Sequence, residues 1–575
     1  MSGNWRWMPI DNIACMKVSH YILIAYSYHE SGCMECVRKR LEDKQVPLET
    51  YVPLMDIDHS IIDMLIAETA QCDGEYYYVY DVIAKTFTKL RMIQYPQCPN
   101  CGEPESIGFL LENSIIPTDD TILEGYRTKC FHTIADGLEK DIDSYLHPVF
   151  GLFDEHVRTI SDSMPLISMF ATLGRRTFDS HGRADTYKES FFTAILEGLE
   201  RFHGTVPSTV SDIYASEDEL TRQHKPFVSL NVFNHVPAAY YDEEALQVPE
   251  YSTDAPIFWR YVYDLRQKKY VLIPEERLYF SSDDFYDSPY DKRYVLDSSN
   301  GIALGSNHIE ASIGGLFEVI ERDAFLVHWY SMSEPLKVTD IERLRNPKIN
   351  RVIALLRLNG YQTHIFDITL ESEVPTYWVL LEQIEDDSRR IAFYTSAGTD
   401  VDPEKAIESA LVEASTSIRA FLEYQKIHGA KTDVSTLKED YREIKGLDDH
   451  IRLYSSPDMS FAFDFAIDSS RRIDACESVR QRSNLLGRYS GQKELFKALI
   501  EKLSEHHDLY QANLTSRTLQ AIGFNCVKII IPTMQNIGFG YLHQNVNKER
   551  IKQAVCLNKL NGEIEVINHE PHPFP

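Results

Sequence analysis

Two stretches of this sequence share a pattern of acidic residues whose spacing suits metal binding. Residues 186–201 read TYKESFFTAILEGLER, and residues 307–322 read NHIEASIGGLFEVIER. Both follow the form Thr/Asn-x-x-Glu-x7-Glu-x-x-Glu-Arg, offset by 121 residues. The first carries Glu189, Glu197, Glu200 and Arg201; the second carries Glu310, Glu318, Glu321 and Arg322. A single Glu-x-x-Glu is most often a solvated helix face. Here the pattern occurs twice, and each pair lies among apolar residues (AILEGLERF, GLFEVIERD). Half-buried carboxylates repel one another unless a cation sits between them. Two opposed helices of this kind would make a magnesium site, with waters and substrate phosphates completing the octahedra. Magnesium bridging phosphates accompanies phosphoryl chemistry. Arg201 and Arg322, beside the carboxylates, suit phosphate oxygens.

Helices must carry these groups. Thr186 with Glu189, and Asn307 with Glu310, have the spacing of a helix capping box. At about 100° per residue, Glu310, Glu318 and Glu321 fall within an arc of about 80°. The second helix follows LDSSNGIALGS, which places Ser298, Ser299, Gly301, Gly305 and Ser306 before a helix N-terminus. Free N–H groups there favour phosphate. The loop lacks the Gly-Lys-Ser/Thr of a Walker motif, and no GxGxxG follows a strand, so a Rossmann cofactor is unsupported.

The chain has 575 residues, 87 Asp+Glu against 58 Lys+Arg, and a net charge of −29. That balance excludes sequence-independent nucleic-acid binding and argues against an anionic membrane surface. No apolar h-region opens the chain, and no apolar run approaches the roughly 18–20 residues of a membrane span, so a cytoplasmic location is expected. With 43% hydrophobic residues there is material for large cores. Seven of the ten cysteines fall within the first 130 residues, including Cys33-x-x-Cys36 and Cys98-x-x-Cys101.

The pattern is α/β (α+β), with strand-like and helical runs alternating after a boundary near 150–165. Strands are expected at 20–28, 76–82, 227–233, 363–366, 376–381, 390–394 and 527–531. Helices are expected at 37–44, 186–203, 307–330, 403–425 and 492–506. GRRTFDSHGRAD (174–185) reads as a loop, and 283–300 as a loop between two halves.

Five blocks carry a resemblance: GRADTYKESFFTAILEGLERFHG, SSNGIALGSNHIEASIGGLFEVIERDAFLVHW, FDITLESEVP, FYTSAGTDVDPEKAIESALVEAS and KIIIPTMQNIGFG. In order and number they resemble the YcaO family of ATP-utilising enzymes, and in particular its azoline-forming cyclodehydratases of ribosomal peptide biosynthesis. The resemblance covers about residues 165–575 and includes a closing Pro571-His572-Pro573-Phe574-Pro575. It implies a YcaO-type ATP-binding domain at 161–575 and a smaller α/β zinc-bearing, partner-docking domain at 1–160. It implies that a Cys, Ser or Thr side chain of a precursor peptide attacks the preceding amide carbonyl. ATP then phosphorylates the amide oxygen, and loss of phosphate leaves a thiazoline or oxazoline. By the same resemblance, Glu197, Glu200, Glu318 and Glu321 hold Mg2+. Ser299, Ser306, Arg201, Glu310 and Arg322 join them around ATP. Pro571, Pro573 and Pro575 enter the active site. Glu189 is read first as a cap.

Several positions depart from the family pattern. Ser306 stands where Asn is usual, with Asn307 one place later. Ser409 and Thr416 replace the usual Arg and Gln, Arg419 comes one place late, and 537–540 reads IGFG. GCMECVRKRLE and QCPNCGEP resemble the family's zinc-bearing segment, so Cys33, Cys36, Cys98 and Cys101 are read as a structural Zn2+ site. Too little chain precedes Cys33 for a leader-binding module of about 80 residues. A separate ThiF-like leader-binding partner is therefore expected, with an azoline dehydrogenase in the same pathway and a homodimer by family analogy. The alternatives are another YcaO backbone modification, thioamide or amidine, or a silent docking scaffold.

Overall fold

The computed structural model describes residues 13–26, 32–46, 59–71, 75–115, 117–159, 164–174, 176–211, 213–242, 246, 248–280, 293–295, 298–385, 390–428, 433–562 and 567–574. Four strands, β1 (Ile13–Val18), β2 (Tyr21–Tyr26), β3 (Tyr76–Asp81) and β4 (Thr86–Arg91), form an antiparallel sheet in that order. Leu23, Ala25, Tyr77 and Val79 cluster with Met34, Val37 and Leu41 of α1 (Met34–Asp43). Ile22, Ile24, Tyr78 and Tyr80 cluster with Leu65 and Ile66 of α2 (His59–Gln71). Successive side chains of a strand point to opposite faces, so the unbroken apolar run Tyr76–Tyr80 serves two helices at once.

The remaining strands form three sheets. β5 (Glu155–Thr159), β6 (Leu166–Leu173) and β7 (Arg176–Arg183) are antiparallel neighbours. A six-stranded sheet joins β8 (Tyr214–Ala215), β9 (Ile257–Asp264), β10 (Lys269–Pro274), β11 (Ile302–Gly305), β17 (Tyr510–Asn513) and β18 (Asn525–Ile530). Its order is β10-β9-β17-β18-β11, with β8 beside β9. β12 (Leu336–Thr339), β13 (Tyr361–Asp367), β14 (Thr376–Gln383), β15 (Phe393–Thr399) and β16 (Arg472–Asp474) form a third, ordered β15-β14-β13-β12-β16. The mixed α/β expectation holds.

Each acidic repeat is a helix that follows a strand. β7 leads into α3 (Tyr187–Thr205), which packs on β6 and β7. β11 leads into α4 (His308–Ser331), which lies on β11 and β18 and reaches β14 and β15. The latter two are covered by α5 (Pro403–His428). Among the described residues no helix is long and apolar enough to cross a membrane.

Three expectations are corrected. Residues 174–185 are not a loop: Arg176–Arg183 pairs along its whole length with β6. Its small residues serve packing, because a Cβ on Gly182 would lie 1.6 Å from the Ser190 carbonyl oxygen of α3. Residues 227–233 are not a strand. Phe227 makes one isolated bridge to Leu272, and Leu230–Phe233 is a 3-10 turn capped by Ser229 and anchored by the Glu217 carboxylate. The strand expected at 390–394 begins instead at Phe393. The 283–300 loop falls largely outside the described residues, as does Pro575.

Candidate functional site

The two repeats arrive at the site with the same local wiring. On α3, Glu197 accepts a hydrogen bond from the His181 backbone N–H of β7 (2.9 Å) and pairs with Arg201 one turn on (2.9 Å). On α4, Glu318 accepts from the Gly301 backbone N–H (2.8 Å) and pairs with Arg322 one turn on (2.8 Å). The second acids match as well. Glu200 accepts from the Leu304 N–H of β11 (2.8 Å), and Glu321 from the backbone of Thr399 at the end of β15. Gly301 is required where it stands. Its φ is +79°, and a Cβ there would lie 2.3 Å from the Ile529 carbonyl oxygen.

These carboxylates form a row that strains against its own charge. Burial, then the charges of Glu318 and Glu197, push Glu200 up to about 8. Burial, then Glu413 of α5, push Glu321 up to about 8. Burial also raises Glu318, against the pull of Arg322. Acids in this state take up protons at neutral pH unless a cation replaces them. A hard divalent cation therefore fits the donor set, which offers carboxylate oxygens alone. The acids have not closed around a point. Among the described residues, only the cysteine cluster below brings its ligand atoms all within 4.8 Å of one another.

Both arginines have further partners. Arg201 reaches Asp179 (3.1 Å), whose carboxyl sits at about 2: burial would raise it, but the His181 hydrogen bond and the Arg201 charge outweigh that. Arg322 reaches the Asn300 side-chain oxygen (3.4 Å). Glu310 lies further along the same face of α4, buried, and accepts from the Ser306 hydroxyl (2.6 Å). Arg127 lies close enough to feel the charges of both Glu310 and Asp400, and burial pushes Asp400 up to about 6. Ser299 stays in the turn before β11, its carbonyl accepting from Ile302 (2.9 Å). Glu189 is occupied with the Thr186 capping box.

Several neighbours escape the sequence reading. Asp179 and Arg183 lie on a strand read as a loop. Arg183 reaches Glu413 (3.3 Å) and Ser417 (3.0 Å). Lys528 of β18 donates to the Ser298 carbonyl (3.0 Å), and its charge reaches Glu318. Glu413 was detectable as a lone acid among Leu411, Val412 and Ala414. Of the altered positions, Ser409 is exposed and Thr416 bonds the Val412 carbonyl of its own helix.

The Pro-x-Pro segment runs into the same region. Pro571–Phe574 is buried, Pro573 O accepts from Thr395 of β15 (3.2 Å), and His572 lies within reach of the Arg322 charge.

The four cysteines converge on one point. Sγ separations are 3.9 Å (Cys33–Cys36), 3.6 Å (Cys33–Cys98) and 3.3 Å (Cys36–Cys101), all buried. A tetrahedral zinc with Zn–S of about 2.3 Å puts sulfurs about 3.8 Å apart, so the set fits that ion closely. Hydrogen bonding within the cluster, first from Cys101, lowers Cys98 and Cys33, while Cys101 is raised. Both Cys-x-x-Cys turns are tight: Cys36 N–H donates to Cys33 O, and Gly102 N–H to Cys98 O. The cluster shares a hydrophobic core with Leu199 and Phe202 of α3.

A family model described as YcaO cyclodehydratase, ATP- and Mg2+-binding, matches residues 181–535. An uncharacterised protein of Methanothermobacter thermautotrophicus is 26% identical over 306 residues, which is 51% of this chain and 70% of the relative. Among solved structures, a heterocyclase in complex with substrate and cofactor superposes with a TM-score of 0.73 at 16% identity, over 98% of this chain and 77% of the other. The heterocyclase TruD follows at 0.61 and 15%, over 92% and 71%. A YcaO from Methanopyrus kandleri bound with AMPPCP and Mg2+ gives 0.50 and 14%, over 74% and 95%. At these identities the likeness is one of fold.

Proposed function

Because this chain belongs to the YcaO cyclodehydratase family, we propose that it uses ATP and Mg2+ to convert Cys residues, and by extension Ser or Thr residues, of a precursor peptide into azolines. The observation that carries this reading is the mirrored wiring of Glu197–Arg201 and Glu318–Arg322, with Glu200 and Glu321 raised between them. Amide oxygen is a poor leaving group and phosphate a good one. The side-chain thiol or hydroxyl adds to the preceding amide carbonyl. The resulting oxygen takes the γ-phosphoryl of ATP, ADP departs, and loss of phosphate closes the C=N bond. The balance is peptide plus ATP to azoline peptide plus ADP plus phosphate.

In this reading Glu197, Glu200, Glu318 and Glu321, with Glu413 beside them, hold the magnesium, which would neutralise phosphate charge in a site that otherwise repels it. Arg201 and Arg322 are held by their i−4 glutamates, so their guanidinium planes are oriented before substrate arrives. Ser299 and the Ser306–Glu310 pair border the nucleotide, and Pro571, Pro573 and Pro575 line the reaction end. Cys33, Cys36, Cys98 and Cys101 hold a structural zinc. Residues 1–160 serve as the docking region for a separate leader-binding, ThiF-like partner. The exposed Val82, Ile83 and Phe87 at the β3–β4 hairpin support that role. Residues 161–575 carry catalysis, in the cytoplasm.

The test is reconstitution with ATP, magnesium, a Cys-containing precursor peptide and the leader-binding partner, followed by mass spectrometry and an ADP assay. Loss of one water per ring with stoichiometric ADP is expected. ADP formation with a sulfur-for-oxygen mass change would show thioamide formation, and silence in both assays with every component supplied would remove the enzyme reading.

A further inference from the structure

Residues 121–129 precede the stretch matched by the family model, and they are fastened across α4. Backbone bonds hold one end. Ile122 N–H donates to Ser490 O (2.8 Å), Gln492 N–H donates to Asp120 O (2.7 Å), and Thr121 forms an antiparallel bridge to Gly491. Gln492 opens α6 (Gln492–Leu503), and its buried side chain donates to Tyr126 O (2.6 Å). At the other end Thr128 Oγ1 accepts from Asn307 Nδ2, just before α4 (3.3 Å). Between these points the chain makes a tight turn. Leu123 N–H donates to Arg127 O and Arg127 N–H to Glu124 O, both at 2.8 Å. Gly125 sits in the turn with φ +59°, and a Cβ there would stand 3.9 Å from both Asp400 carboxylate oxygens. Lys405 of α5 donates to Glu124 (2.6 Å).

This anchoring sets two side chains against the acidic row. Glu310, Gly314, Phe317 and Glu321 stand at i, i+4, i+7 and i+11, so they share one face of α4. Tyr126 covers the middle of that stripe. Its ring meets Phe317 edge-on, with centroids 5.2 Å apart and planes at 81°. Its hydroxyl lies 3.4 Å from the place of a Cβ on Gly314. The next residue, Arg127, feels the charges of Glu310 and Asp400. It is nonetheless exposed, and it forms no salt bridge among the described residues. Lys405, the other cation near Asp400, is engaged with Glu124. Arg127 therefore brings a guanidinium fork, uncommitted to any carboxylate, to an end of the row where acids outnumber cations. Such a fork matches phosphate oxygens.

We propose that Arg127 contacts the nucleotide at the Glu310 end of the row, so that a turn from residues 1–160 completes the ATP site. This rests on the reading of the row as a magnesium–ATP site. The region read as the partner-docking domain then supplies one wall of the site at which ATP is used.

The full chain is titrated with a non-hydrolysable ATP analogue and Mg2+ by calorimetry. Arg127→Ala should raise Kd about tenfold or more, the size of one lost hydrogen bond to a charged group, and Arg127→Lys should raise it less. In the reconstituted reaction the KM for ATP should rise while kcat stays within about twofold. The melting temperature without nucleotide should not move, which separates a binding role from a structural one. Hydrogen exchange on the unaltered chain needs no substitution: the analogue should slow exchange at residues 121–129. A chain that binds the analogue and keeps its affinity in Arg127→Ala overturns this proposal alone. So does slowed exchange in α4 with residues 121–129 unaffected. An unaltered chain that binds no nucleotide removes the ATP reading, and this proposal with it.

Discussion

The two acidic helices have the same motif and different neighbourhoods. α3 begins near solvent, where Glu189 closes a capping box with Thr186. α4 begins inside the protein, and the equivalent Glu310 is buried against Ser306. Past the motif, α3 ends at Thr205, while α4 continues through Phe325 and Trp329 into the channel that holds the Pro-x-Pro segment. Arg201 has a second carboxylate in Asp179; among the described residues, Arg322 hydrogen-bonds the Asn300 amide oxygen besides pairing with Glu318. The repeated motif thus supplies two equivalent carboxylate pairs, and packing gives one helix a second set of contacts. α3 contributes charge, while α4 contributes charge and also contacts the Pro-x-Pro segment.

The sharpest way to break this comparison is to remove one acid from each helix. Glu200→Gln and Glu321→Gln should each lower ATP turnover by about 10²–10³-fold, as loss of one preorganised electrostatic group does. Thermal stability without magnesium should stay level or rise, because each change relieves repulsion. Full turnover in either variant would leave that helix without a role in the site. Next comes the pair that differs. Glu310→Gln should cost about 10- to 100-fold in ATP-dependent activity, the range of groups that support metal or substrate ligands. Glu189→Gln should leave turnover unchanged. If the two behave alike, burial at the start of α4 means nothing for function.

The zinc reading predicts one equivalent of metal per chain by elemental analysis. Cys98→Ser should lose that metal and unfold at lower temperature, because the cluster shares its core with α3. Metal-free protein with unchanged melting would sink the assignment.

A smaller, graded effect concerns the channel. Burial lowers His572 to about 4, and burial also lowers His450, so both are neutral when the segment is docked. Released, an imidazole titrates near 6.5. A group that binds protons more readily when released loses docking free energy as pH falls below its free value. Docking of the segment should therefore weaken by up to about tenfold per pH unit between roughly 6.5 and 4 through His572, and be flat above 7, read as limited proteolysis of the C-terminal segment against pH. A flat profile across that window would show that neither imidazole carries the docking. The smallest effect expected is on α3: Glu189→Ala should cost about 0.5–1 kcal/mol of stability through the cap, read by denaturant titration.

Much of the site was legible because helices keep chemistry local. Glu197 to Arg201 and Glu318 to Arg322 lie one turn apart, so sequence spacing alone put them side by side. The Cys-x-x-Cys turns were legible for the same reason. Strand-borne groups were not. Asp179 and Arg183 sit in a stretch whose Gly, Asp and Arg content looks like a loop, and only pairing with β6 makes it a strand. Glu413 comes from a helix more than ninety residues past Glu321, and no local signal ties them. The 227–233 segment failed in the opposite direction: its apolar residues suited a strand, but a capped 3-10 turn held by Glu217 won.

From sequence alone came the duplication, the carboxylate faces, the cysteine pairs and the extended character of the Pro-x-Pro segment, because each depends on covalent geometry within a few residues. The tertiary structure decided which carboxylates share a field, which of two equivalent first glutamates is buried, and what reads the segment's backbone. Those outcomes depend on how distant strands and helices exclude water from one another. Half-buried acids become a strained row only when α3, α4 and α5 converge.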